Sequence, residues 1–142
     1  MAPLAGRESP GDLASPNRGV HAAGALVVES DAGSADLVCR SLTELGFHVQ
    51  AVSSGVGAVI AARQSPPAII FLAVQLNDVD GAELAGWLRA NPALRSVPIV
   101  AMHSSDDDMP DLVATSFRAR LRKPTSAAKV AEIVRSICKR SS

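Results

Sequence analysis

Ala73 lies near the end of the apolar run Ile69-Ile70-Phe71-Leu72-Ala73-Val74, ahead of a polar loop and the pair Asp80-Gly81. An apolar run that ends this way is how a buried parallel strand carries a side chain to the rim of a site. At that rim position the chain places a methyl group, which offers no nucleophile and no ligand. Other residues able to do chemistry follow the remaining apolar runs: Glu29, Ser30 and Asp31, then His103 and Ser104, then Lys123 beside Pro124. Carboxylates such as Glu29 are the ligands a hard cation like Mg²⁺ takes. Lys123 is expected to pair with Glu29 or Asp31, because a half-buried ammonium without a partner is costly. His103 reads as a hydrogen-bonded pocket filler, since no cysteine or second histidine stands near it in sequence to complete a metal site.

The elements that must position these residues alternate. Ala25 to Val28 reads as a first strand, and Ser34 to Leu45 as a helix with Val38, Leu42 and Leu45 on one stripe and Gly46 as its stop. Phe47 to Val52 is a second strand, and Val56 to Arg63 a short, nearly all-apolar helix ended by Pro66-Pro67. The third strand is Ile69 to Val74. Asp80 caps a helix over Gly81 to Ala90, with Leu84, Trp87 and Leu88 expected in the core and Asn91-Pro92 as its stop. Pro98 to Met102 is the fourth strand. A helix is expected near Met109, after Asp106 to Asp108, with Pro110 at its start. Ala119 to Leu121 is a fifth strand, interrupted by arginines. Thr125 or Ser126 caps a last helix with Val130, Ile133, Val134 and Ile137 at helical spacing. Five strand–helix pairs with short loops make an α/β fold, a doubly wound five-stranded parallel sheet with helices on both faces. The polar residues named above then gather at its carboxyl edge. Residues 1–24 stand apart: Pro3, Pro10 and Pro16 with Gly6, Gly11 and Gly19 break any period, and this stretch reads as a disordered arm ahead of a domain over 25–140.

In order and spacing, four segments together resemble the response-regulator receiver domain, the CheY-like family with a flavodoxin-like (βα)5 architecture. They are Leu26 to Asp31, Ile69 to Gly81, Val97 to Met102, and Leu121-Arg122-Lys123-Pro124. The resemblance implies an acidic pair and an acceptor aspartate holding Mg²⁺, a Ser or Thr and the Lys holding phosphoryl oxygens, and an aromatic switch residue. Carried over residue by residue, the first acid is Glu29, the second has become Ser30, the acceptor has become Ala73, the hydroxyl position is His103, the aromatic is Arg120, and the lysine is Lys123. With one carboxylate remaining, Mg²⁺ binding is expected to be weak or absent, and no cofactor is expected. An acyl phosphate needs a carboxylate nucleophile, which a methyl group cannot supply. The resemblance therefore points to a degenerate pseudo-receiver of a bacterial two-component system. It would not be an enzyme and would act by phosphorylation-independent protein binding.

Two alternatives come from other classes: phosphotransfer through an unusual acceptor such as Ser30 or His103, and a small-molecule-binding α/β domain. Asp78 and Asp80 are better explained as a turn residue and a helix cap. Arg118, Arg120 and Arg122 alternate along the fifth strand and, with Lys129 and Arg135, suggest a face for docking a signalling protein or a second copy. Nucleic acid is not expected, because no aromatic interleaves these arginines and the formal net charge of the 142 residues is zero. Cys39 and Cys138 are too few and too far apart for a disulfide framework. No apolar run approaches the roughly 20 residues that span a bilayer, and the start of the chain has no apolar leader core. A cytoplasmic location is expected.

Overall fold

The computed structural model describes residues 23–104 and 117–141, residues 139–141 by backbone alone. The arm expected over residues 1–24 (all but its last two residues) and the helix expected near Met109 lie outside them. Five strands are formed: β1 (Gly24–Val28), β2 (His48–Val52), β3 (Ile69–Ala73), β4 (Ile99–His103) and β5 (Ala119–Arg122). All neighbours pair in parallel, in the order β2-β1-β3-β4-β5. The helices are α1 (Ala32–Glu44), α2 (Gly55–Gln64), α3 (Gly81–Arg89) and α4 (Ala127–Ser141), with a 3₁₀ turn at Pro92–Leu94. This is the five-stranded doubly wound sheet of the flavodoxin-like class, whose strand order reverses between β1 and β3.

Strand periodicity sorts the core into two layers. Leu26, Val28, Ile70, Leu72, Ile99 and Ala101 face α2 and α3, where Ala58, Ala62, Leu84 and Leu88 meet them. Ala25, Val27, Ile69, Phe71, Val100 and Met102 face α1 and α4, against Val38, Leu42, Val130 and Val134. The central strands β3 and β4 are buried on both faces at every residue, which is why they read as unbroken apolar runs. Each fully buried Leu, Ile or Phe among them contributes about 2 kcal/mol relative to exposure.

Caps set the element boundaries. Asp31 accepts from Ser34 N–H at 2.9 Å and starts α1 two residues earlier than expected. Gly46, at φ 99°, adopts the left-handed conformation that ends the same helix. Ser126, rather than Thr125, caps α4 by accepting from Lys129 N–H at 3.2 Å. β1 begins at Gly24, one residue ahead of the expected first strand and inside the expected arm. Asp80 stands at the N-cap position of α3 with no capping bond from its side chain.

Trp87 corrects an expectation: it is 48 % exposed, not core. The buried face of α3 is Gly81, Leu84, Ala85 and Leu88. At 100° per residue Trp87 falls roughly 110° round from the centre of that face, on the flank of the helix. Leu45, the last member of the expected α1 stripe, is also partly exposed, at 39 %.

Candidate functional site

The carboxyl edge of the sheet brings Glu29, Ser30, Asp31, Ala73, His103 and Lys123 to one end of the molecule, because each follows or ends a parallel strand. The Glu29 backbone N–H donates to the Val52 carbonyl at 3.1 Å, extending the β1–β2 ladder and fixing where its side chain starts. Lys123 is placed the same way, its N–H donating to the His103 carbonyl at 2.7 Å. The peptide Lys123–Pro124 is cis.

Between these anchored residues lies a charge-assisted contact. Lys123 Nζ donates to Glu29 Oε1 at 2.7 Å, with side chains 18 % and 2 % exposed. Glu29 Oε2 accepts from Asp31 N–H at 3.1 Å. Both oxygens of the carboxylate are therefore engaged within the protein. The ion pair expected for Lys123 forms with Glu29 and not with Asp31. Asp31 is exposed, and its capping bond to Ser34 N–H, with help from the Lys123 charge, holds its carboxyl below the usual range. Ser30 is exposed.

Ala73 is fully buried at the end of β3. The loop after it is drawn tightly back: Val74 N–H donates to the Met102 carbonyl, Gln75 and Asp80 form an antiparallel bridge, and Gly81 N–H donates to the Val74 carbonyl at 2.9 Å. Only glycine fits at the return. A Cβ on Gly81 would lie 2.5 Å from the Ala73 carbonyl oxygen and 2.6 Å from Val74 Cα. Asp78, read from sequence as a turn residue, does more than turn the chain. Its carboxylate accepts from Gly55 N–H at 2.9 Å and Val56 N–H at 3.2 Å, capping α2 from 23 positions away. These bonds hold the Asp78 carboxyl below its ordinary range. No local sequence signal marks this contact, since the two halves meet only once β1 and β3 pair.

His103 ends β4 and is 3 % exposed, so its ring is enclosed at the position where a small hydroxyl would leave room for an anion. Of the mapped positions only Glu29 brings a carboxylate, and it is committed to Lys123 and Asp31. That donor set does not fit Mg²⁺, which takes near-octahedral oxygens including one or two free carboxylates. Among the described residues no three His, Cys, Asp or Glu side chains cluster as metal ligands.

Of the basic residues, Arg120, Arg122 and Lys129 line one shallow cavity of about 590 Å³ between β5 and α4. Arg118 and Arg135 are exposed but do not line it. Arg118 stands just ahead of β5, its N–H donating to the Ile99 carbonyl at the start of β4 at 2.8 Å, and burial with the nearby Arg118 charge lowers the Arg89 pKa. No helix among the described residues is long and apolar enough to cross a membrane.

The family model for the response regulator receiver domain matches residues 25–135. The chain is 27 % identical over 118 residues to the transcriptional regulatory protein GltR of Pseudomonas aeruginosa, covering 82 % of this chain and 49 % of GltR. It therefore spans about half the length of that relative. It is 26 % identical to the polar-differentiation response regulator DivK of Brucella ovis, covering 78 % of this chain and 92 % of DivK. Among solved structures, a CheY-like receiver domain from Methylobacillus flagellatus superposes with a TM-score of 0.74 at 29 % identity, covering 82 % of this chain and 98 % of the other. The receiver domain of a sensor histidine kinase from Pseudomonas aeruginosa, solved with a magnesium ion coordinated in its active-site cleft, superposes with a TM-score of 0.74 at 25 % identity. That match covers 81 % of this chain and 96 % of the other.

Proposed function

The chain belongs to the response regulator receiver family of two-component signalling, and from that premise we propose that it is a pseudo-receiver, a receiver fold that binds its partner without being phosphorylated. The observation that carries this reading is the buried methyl of Ala73 at the end of β3, on the same carboxyl edge as a lysine already bound to Glu29. Phosphoryl transfer onto this edge needs a carboxylate nucleophile and a metal to neutralise the transferred charge. The mapped positions supply neither. Mg²⁺ binding is accordingly weak or absent, and the chain is a binding module rather than an enzyme.

The switch is closed in a second way. The resemblance requires a lysine able to reach an incoming phosphoryl oxygen at the edge bounded by the loop after β3. Here Lys123 is held by Glu29, and Asp78 fastens the loop to α2. A fixed carboxyl edge suits a constitutive surface. The partner is a signalling protein, or a second copy of the chain, meeting the basic face of Arg120, Arg122 and Lys129 in the cytoplasm.

Incubation with acetyl phosphate and Mg²⁺ followed by intact-mass measurement tests the reading. No phosphoryl adduct is expected. A stable adduct would make the protein a phosphotransfer module with an unusual acceptor, and peptide mapping would then place it on Ser30, His103 or another side chain.

A further inference from the structure

The outer face of α2 and α3 carries apolar surface that the sheet does not take up: Val56 is 59 %, Ile60 52 % and Trp87 48 % exposed. At the edge where the strands begin, a cavity of about 460 Å³ opens between the C-terminal ends of these helices. Val59, Arg63, Pro66, Trp87, Pro92 and Leu94 are among the residues that line it. An aromatic side chain set among prolines, with a cation at hand, is the kind of groove that receives an extended, proline-containing segment. The indole N–H adds a donor for a backbone carbonyl.

The chain itself leads such a segment to this place. Ala68 N–H donates to the Gly24 carbonyl at 2.7 Å, and a Cβ on Gly24 would stand 3.6 Å from Pro67 Cα. β1 therefore begins beside Pro67, next in sequence to the groove residue Pro66. Upstream, Pro10, Leu13 and Pro16 recur every third residue, with Asp12 beside Leu13. In a polyproline II helix, at three residues per turn, that spacing puts all three on one edge. The eight-residue step from Pro16 to Gly24 extends to about 26 Å. Tethering gives the segment an effective concentration on the order of millimolar, so a modest contact suffices.

We propose that Pro10 to Pro16 of the same chain docks in the Trp87 groove, with Leu13 and the flanking prolines against the indole and Asp12 toward Arg63. The groove lies at the opposite edge of the sheet from Ala73, so its occupancy does not depend on the phosphorylation chemistry. Docking covers the C-terminal end of the α2–α3 face around Trp87.

Trp87 is the only tryptophan and the chain has no tyrosine, so its emission reports directly on the groove. In the full chain, Leu13→Asp should red-shift Trp87 emission and raise its quenching by acrylamide, while Leu13→Ile leaves both as in the parent. Pro16→Asp provides an independent second variant with the same expected shift. Identical emission and quenching in the parent, Leu13→Asp and Pro16→Asp overturns the proposal. So does emission that changes with protein concentration while the chain sediments as a dimer, which would assign the groove to a second copy.

Discussion

Removing one partner of the Glu29–Lys123 pair leaves the other stranded, and the two removals are not equivalent. Glu29 is almost wholly enclosed while Lys123 keeps some access to water. Lys123→Ala should therefore cost about 3 kcal/mol, the scale for an uncompensated buried charge, and Glu29→Ala less. Replacing both by Met removes the stranded charge and should recover much of the loss, since buried pairs are often replaceable by apolar side chains. Urea denaturation of the two single variants and the double gives the coupling, and simple additivity would show the pair to be unimportant. Restoring the rim carboxylate alone is a separate matter. Ala73→Asp is expected to give no acyl phosphate with acetyl phosphate and Mg²⁺, because Ser30 supplies no charge and His103 fills the hydroxyl position. Robust labelling of that variant by intact mass would show that the remaining pocket can still hold metal and phosphate. At this scale the residue types and their order were legible in the sequence, and so was a partner for Lys123. Which acid it takes was not, because Asp31 is drawn away by the nearest helix N-terminus.

Elements were legible wherever a local signal governed them. The unbroken apolar runs of β3 and β4 and the glycine after α1 are of that kind, and even the arginine-interrupted β5 forms close to where its short alternation placed it. Features made by contacts between distant elements were not legible. Trp87 stood at an apparently apolar spacing, yet the face of α3 that is buried runs through Gly81, Leu84, Ala85 and Leu88, with Gly81 pressed against the end of β3. Asp78 looked like an ordinary turn residue until the loop after β3 met the start of α2. The same loop supplies a test. Gly81→Ala forces a methyl into backbone atoms of Ala73 and Val74 that cannot yield without moving the strand, so it should destabilise by about 2 kcal/mol or more. Gly55→Ala meets chiefly the Val79 side chain, whose γ-methyl can turn aside, and should cost less. Equal urea midpoints for the two variants would mean that the loop is not packed against the strand end as described.

Across the whole molecule, the carboxyl edge is tied together by two exposed carboxylates that cap two different helices. Asp31 holds the start of α1 and Asp78 the start of α2, and both have pKa values below the ordinary 3.8 because backbone N–H groups bond their charged forms. The unfolded chain therefore takes up these protons at a higher pH than the folded one. Their contribution to stability is complete well above 3.8 and disappears as the pH falls from there through the lower folded values. Both caps weaken in the same narrow acid range, so the edge that carries Glu29, Ala73 and Lys123 should loosen as a unit, while neutral pH changes leave these two caps intact. Urea midpoints measured from pH 7 down to pH 3 should stay level, as far as these two groups are concerned, until about pH 4 and then fall. Asp31→Asn with Asp78→Asn removes the two titrations and should flatten the acid limb. An unchanged acid limb in that double variant would mean that other carboxylates, and not the two caps, govern how this edge responds to acid.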